Sequence, residues 1–525
     1  MSADGIDTAR GSPPRDGLAL DDGHQMARGA AANLLVLFAS NFRALFTFLI
    51  ARILGEAALG RFGLAFATTE LLSKVGMLGF DNAIVPFVAR SAVSGRRSAI
   101  GVVKRTTALA FAASTVVMVF VAGLVWWRRD VPGLEAYSTG GALMLLALPA
   151  IAVARIATGA SRAVLAMGSE FYSRGLVETW VTTGVFIIAV ALGLRDAAPA
   201  LSVAIGSTAA AIVAYALAVR ALQSRIPDDV DAHAARTRPA RGAMIDQLRF
   251  SLPIAASSLL TVLVMRVDVL LLGAYVNRAP GVTVESFGIF CAAAEVAGGL
   301  RKVRQVFDPI LAPIVAGRLV ASARASLRQT LAPPGRWLLA AQLPLVAVCV
   351  LAGGTVMSVY GGAFRVGGPW LAILGLAHGT NAFAGLVETV LMVERPRLNL
   401  LNAAATVIVQ VVCGLLLIPR LGVMGAALAM FLGFALQGLL RFVEVRYVFG
   451  WSWPWASLAR PAVAGGVAFL PAAALHLLAP IPWREPVSAA TFITLYVAAW
   501  FWLGLEPADL EVWRRLFPSR HTSRT

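Results

Sequence analysis

Charge is scarce in this chain. Only 14% of its 525 residues are Asp, Glu, Lys or Arg, whereas 58% are apolar. A soluble globular domain carries about 25% charge and about 45–50% apolar residues. So few charges cannot coat a water-soluble fold of this size, and disorder requires low hydrophobicity; both classes are excluded for most of the length. Cysteine is scarcer still. Cys291, Cys349 and Cys413 lie far apart in apolar runs, which excludes a disulfide framework and any zinc-ligand spacing. Lysine is almost missing: Lys74, Lys104 and Lys302 are the only lysines among 45 basic residues. None follows a glycine, so the Gly-Lys-[Ser/Thr] end of a nucleotide-binding loop does not occur and ATP is not used by this chain. No HExxH or GxSxG pattern marks a catalytic site, so the chain reads as a non-enzyme that needs no metal or organic cofactor. Residues 1–25 are polar and lack the apolar core of a signal peptide.

Long apolar runs take the place of these features. A helix crosses the hydrocarbon core with about 20 mostly apolar residues. Fourteen such runs are expected, the first centred near Ala39 and the last near Tyr496. The second, eighth and tenth, near Ala67, Ala297 and Leu376, are interrupted by polar groups. The formal net charge of +17 invites a nucleic-acid reading, but arginine is spread between the runs rather than gathered on one domain. Alternation across a membrane explains it better. With the N-terminus inside, twenty-nine basic residues fall in inside segments, nine in outside turns and seven within spans. The positive-inside rule then places both termini in the cytoplasm of a multi-pass protein, without nucleic acid as a partner.

The longest loop divides six runs from eight. The expected organisation is a disordered tail at 1–28, an N-lobe at 29–222, a linker at 223–247, a C-lobe at 248–450, a terminal helix pair at 451–507 and a tail at 508–525. The lobes look alike in places. Ala51–Phe66 (ARILGEAALGRFGLAF) and Leu270–Phe290 (LLLGAYVNRAPGVTVESFGIF) both run through Leu-Gly, a polar turn and Phe-Gly. A parallel repeat implies a pseudo-two-fold axis along the membrane normal, with substrate bound near the midplane between the halves. The fold class is therefore an all-α polytopic membrane protein of about fourteen transmembrane helices: two six-helix lobes plus two C-terminal helices.

The charges inside the spans carry the functional signal, because each costs at least a few kcal/mol near the bilayer centre. The basic ones are Arg43, Lys74, Arg155, Arg266, Arg301, Lys302 and Arg304. Helical spacing sorts the polar residues into faces. Glu70 and Lys74 stand as an i,i+4 pair in the favourable direction. Glu295, Lys302 and Gln305 share a stripe, as do His378, Asn381 and Glu388, and as do Asn399, Asn402, Thr406 and Gln410. Such stripes serve either interhelical hydrogen bonding or a wet cavity that binds an anion. Glu70, Asp268, Glu295 and Glu388 are candidates for coupling to H⁺ or Na⁺, the ions this sequence leaves open.

Several segments resemble a known family. NFRALFTFLIARILGEAALGRFGLAFA followed by LGFDNAIVPFVAR, then VMRVDVLLLGAYV, then LVETVLMVERPRLNLLNAAATVIVQVVCGLLLIPRLGVMGAALA are similar to Wzx-type polysaccharide flippases. Their parent MOP superfamily also contains the lipid II flippase MurJ and the MATE drug exporters. The resemblance implies a bacterial inner-membrane carrier with two six-helix lobes around a V-shaped cavity. It implies transport of an undecaprenyl-pyrophosphate-linked oligosaccharide from the cytoplasmic to the periplasmic leaflet, alongside polysaccharide polymerase and export proteins. It also implies that cationic cavity residues hold the pyrophosphate. Positions that fit by helix and face are Arg43, Lys74, Arg155, Arg301, Lys302 and Arg304, with Asn381 and Asn402 as glycan partners. A MATE-like drug or cation antiporter is the alternative transporter. A membrane-embedded polysaccharide polymerase or ligase is the alternative of another class.

Overall fold

The computed structural model describes residues 42–127, 140–228, 243–305, 311, 315, 317, 324–450 and 455–503. Among the described residues there is no strand. The first lobe contains α1 (Phe42–Leu54), α2 (Glu56–Met77), α3 (Phe80–Ala92), α4 (Arg96–Trp127), α5 (Ala147–Ala163), α6 (Gly168–Ala191) and α7 (Ala198–Arg225). The second contains α8 (Ala243–Ala274), α9 (Val284–Gly298), α10 (Leu300–Gln305), α11 (Arg324–Leu351), α12 (Gly353–Ser358), α13 (Gly368–Glu394), α14 (Pro396–Leu421) and α15 (Val423–Phe449). The last two helices are α16 (Ala459–Leu478) and α17 (Arg484–Trp502).

Eleven helices of the described residues are long and apolar enough to cross a membrane. They correspond to the expected second to seventh and ninth to thirteenth runs. The described residues do not confirm the exact count of fourteen. The centre of the first run lies outside the described residues, which leave only α1 of it. The eighth is broken at Gly299 into α9 and α10, where Arg301, Lys302 and Arg304 crowd a single turn. The fourteenth forms α17 but opens on Arg484 and Glu485, which dilute its apolar stretch. Helix also encroaches on the linker expected at 223–247, since α7 reaches Arg225 and α8 begins at Ala243. The two expected tails lie outside the described residues.

Small side chains set the packing. With no hydrophobic drive between helices in lipid, close approach and van der Waals contact hold a bundle together. Ala150, Ala154 and Ala157 of α5 accordingly meet Ala211, Ala214 and Ala218 of α7. In the second lobe α15 packs against both α13 and α14, and α8 against α14. The terminal pair docks on α11. Glu485 at the head of α17 accepts hydrogen bonds from the Thr355 backbone N–H (2.6 Å), the Thr355 hydroxyl (2.8 Å) and Arg365 (3.1 Å).

The lobes meet along α2–α3 on one side and α8–α9 on the other. The two segments matched by sequence supply the tightest contact. A Cβ on Gly288 would collide with the Glu56 carbonyl, and one on Gly60 would lie 2.6 Å from the Val284 carbonyl. Farther along, α2 breaks into α3 at Leu78 and Gly79, both with positive φ (52° and 78°). A non-glycine residue in that region costs about 1–3 kcal/mol, which the surrounding packing must offset. Gly79 tolerates it and lets the break press against α8, where a Cβ would strike the Ser251 carbonyl.

Candidate functional site

Among the described residues, two cavities are lined by charges from within the predicted spans, one per lobe. The larger has a volume of about 230 Å³. One wall is aromatic: Phe46 of α1 meets Phe62 of α2 edge-on at 5.5 Å, and Phe66 lies one turn further. The facing wall is polar, with Arg155 from α5, Arg174, Glu178, Thr179 and Thr182 from α6, and Ser207 from α7. Glu70, Thr69 and Ser73 of α2 complete it. Helix α6 widens into a π-helix over Phe171–Glu178, a distortion common at functional sites. It carries Arg174, which pairs with Glu170 (3.1 Å) and Glu178 (3.6 Å). Ser207 donates to the other Glu178 oxygen at 3.5 Å. The Arg155 guanidinium has no hydrogen-bond or ion-pair partner among the described residues. A half-buried guanidinium left open to a cavity beside a second arginine is a ready receiver for an anion, because charge-assisted forks to phosphate are the strong ones.

Glu70 ties this cavity to the other lobe. Its carboxylate accepts from Arg266 Nε of α8 at 2.9 Å, and that guanidinium lies 5.9 Å from the Phe66 ring centroid. The expected Glu70–Lys74 pair does not form. Lys74 Nζ instead reaches Asp81 Oδ2 at 2.6 Å, across the break between α2 and α3. The bend brings Asp81 back under Lys74, a geometry that the spacing of one straight helix does not offer.

The smaller cavity, about 40 Å³, belongs to the second lobe. Arg266, Asp268, Glu295, Arg301, Lys302 and His378 line it. Asp268 Oδ1 and His378 Nδ1 are buried there, without a hydrogen-bond partner among the described residues. Arg301 Nη1 lies 2.6 Å from Met265 Sδ. Beside the cavity two guanidiniums share one carboxylate. Glu388 Oε2 receives both Arg304 Nη1 (2.9 Å) and Arg441 Nη2 (2.8 Å), and Arg441 also donates to Asn381 Oδ1 at 3.2 Å. Gly385 makes room for this cluster, since a Cβ there would overlap the Arg304 guanidinium.

The structure thus distributes the expected site residues among different duties. Arg155 and Glu70 share the larger cavity; Asp268, Glu295, Arg301 and Lys302 share the smaller one. Arg304, Glu388 and Asn381 join Arg441 in the half-buried cluster beside it. Lys74 is engaged within its own lobe. Asn402 donates to Glu444 Oε2 at 2.6 Å, so its amide serves the α14–α15 contact. Gln410 does similar work by donating to the Val264 carbonyl at 3.2 Å. The Arg43 side chain lies outside the described residues.

Three of the twenty-nine basic residues counted in inside segments lie buried or half-buried within helices: Arg174 in α6, Arg336 in α11 and Arg441 in α15. The signal was present for two of them. Glu170 and Glu178 flank Arg174 at four residues on either side, and Gln437, Arg441 and Glu444 form a stripe at helical spacing. Arg266, recognised as intramembrane but left out of the binding set, proves to bridge the lobes.

Residues 26–301 match the family model described as polysaccharide biosynthesis protein. No curated protein matches the chain. Among solved structures, the chain is similar to the lipid II flippase MurJ in an inward closed conformation: 12% identity, 93% of this chain and 100% of that one, TM-score 0.63. It is also similar to an inward-facing multidrug resistance MATE transporter of the MOP superfamily: 14% identity, 80% and 98%, TM-score 0.63. A Vibrio cholerae MATE transporter aligns with 15% identity over 82% and 98%, TM-score 0.51. These likenesses establish the MOP fold.

Proposed function

The chain belongs to the polysaccharide biosynthesis protein family, and from that premise we propose that it flips an undecaprenyl-pyrophosphate-linked oligosaccharide from the cytoplasmic to the periplasmic leaflet. The observation that carries this reading is the open Arg155 guanidinium beside Arg174 in a cavity with an aromatic wall. A pyrophosphate leaves water only when several charge-assisted hydrogen bonds replace its hydration. Arg155 and Arg174 supply them, and Arg301 and Lys302 face the second lobe's cavity. The hydroxyls of Thr179, Thr182 and Ser207 suit sugar hydroxyls, while Phe62 and Phe66 suit the apolar face of a sugar ring. The lipid tail stays in the bilayer. Alternating access then works by rocking the lobes about the α2–α3/α8–α9 seam.

The transport reading places the protein in a bacterial inner membrane with both termini cytoplasmic, next to polymerase and export proteins. Coupling to H⁺ or Na⁺ falls to the acidic groups that face the cavities: Glu70 in the first lobe, Asp268 and Glu295 in the second. The MATE-like alternative needs an acidic cavity, whereas here each carboxylate has a guanidinium close by.

Lipid extraction from a deletion strain tests the function. Accumulation of a lipid-linked oligosaccharide on the cytoplasmic face is the expected result, and unchanged lipid pools with increased drug sensitivity would favour the MATE-like reading.

A further inference from the structure

The Glu70–Arg266 bridge joins the two cavities as well as the two lobes. Glu70 lines the larger cavity with Arg155 and Arg174, and Arg266 lines the smaller one with Arg301 and Lys302. The pair is 2.9 Å long, and its side chains are 25% and 19% exposed, so neither group is fully buried where the two lobes meet. Arg266 is further confined by Phe66, whose ring centroid lies 5.9 Å away. A carboxylate held by an arginine in such a place has the chemistry of the cargo: an oxyanion receiving a guanidinium fork. It stands within the same lining as the open Arg155.

We infer that Glu70 is a built-in surrogate anion occupying a subsite for the pyrophosphate, and that Arg266 is a ligand of that group. This inference rests on the flippase reading. In the empty protein Glu70 fills the place of one phosphate oxygen on Arg266 and holds the lobes together. An arriving pyrophosphate takes over Arg266 from Glu70, and the released carboxylate turns toward the neighbouring arginines of its own lobe. The bridge then opens when cargo replaces it. An empty carrier keeps its lobes tied, which restrains movement without load.

The inference gives opposite signs for the two partners, whereas a purely structural ion pair gives the same sign for both. The test measures binding of farnesyl pyrophosphate to the purified full-length protein in detergent, with farnesol as the uncharged control. Removing the competitor in Glu70→Gln is expected to tighten binding by about threefold to tenfold. Removing the ligand in Arg266→Gln is expected to weaken it at least tenfold. Tighter binding in Glu70→Gln together with weaker binding in Arg266→Gln sustains the inference. If Glu70→Gln fails to fold, Arg266→Gln decides alone: wild-type affinity in it overturns the role of Arg266. Unchanged or weaker binding in a folded Glu70→Gln overturns the surrogate role while leaving the flippase reading in place. Absence of any preference for farnesyl pyrophosphate over farnesol in the wild type overturns both.

Discussion

The two lobes differ in how they use charge. In the first, among the described residues, Arg155 faces a cavity of about 230 Å³ without a hydrogen-bond or ion-pair partner, and Arg174 is held by carboxylates of its own helix. In the second, two arginines converge on Glu388 beside a cavity of about 40 Å³. Similar residue types therefore do different work. Where a guanidinium is already neutralised, charge holds helices together. Where one is left open to a cavity, its charge is available to a ligand. The comparison teaches that an intramembrane arginine becomes informative once its partner is known.

The largest effect should follow from Arg155→Ala. With its cavity arginine gone, export of lipid-linked oligosaccharide is expected to fall by at least a hundredfold at unchanged protein abundance, measured by complementation with immunoblotting. Normal export would erase the distinction between the lobes. Next comes Glu388→Gln, which leaves two confined guanidiniums facing each other. Removing one partner of a fully buried pair costs about 3–5 kcal/mol, and the partial exposure of Glu388 brings the loss below that range. A clear drop in melting temperature is expected, much larger than that of Arg155→Ala, and the reverse order would invert the comparison.

Gly288→Ala probes the seam between the lobes. The new methyl has the Glu56 carbonyl in its path, and overpacking of this kind costs about 1–3 kcal/mol. Thermal unfolding should register that loss, and transport should fall with it. Asn402→Ala is expected to do least. Interhelical hydrogen bonds within membranes average about 0.6 kcal/mol, so stability should drop slightly and export should persist. Loss of export in this variant would restore Asn402 to the glycan site.

Much of this arrangement is legible in the sequence, and its gaps have physical causes. Run length and arginine alternation reveal the bundle because hydrocarbon thickness and insertion energetics act on single segments. The Gly-containing repeats at Ala51–Phe66 and Leu270–Phe290 point to equivalent places, and the structure puts their glycines face to face. Partner choice is harder. Lys74 chooses Asp81 over Glu70 because of the bend at Leu78–Gly79, which periodicity does not report. Arg174, Arg336 and Arg441 were assigned to inside segments because a rule about loop charge is blind to how far a helix extends. Arg266 was seen as a charge within a span, but its partner lies 196 positions away in the chain. Burial within a straight stripe is local information; an ion pair between lobes is not.

The account turns on where the cargo's head group lies. A lipid-linked pyrophosphoryl oligosaccharide carrying a photoreactive group on its first sugar, bound to the purified protein and mapped by mass spectrometry, measures this directly. The account predicts labels on the α2 segment containing Phe62 and Phe66 and on the α6–α7 segments containing Thr179 and Ser207. Labels confined to the second lobe around Arg301, Lys302 and His378, with none in the first, would contradict it.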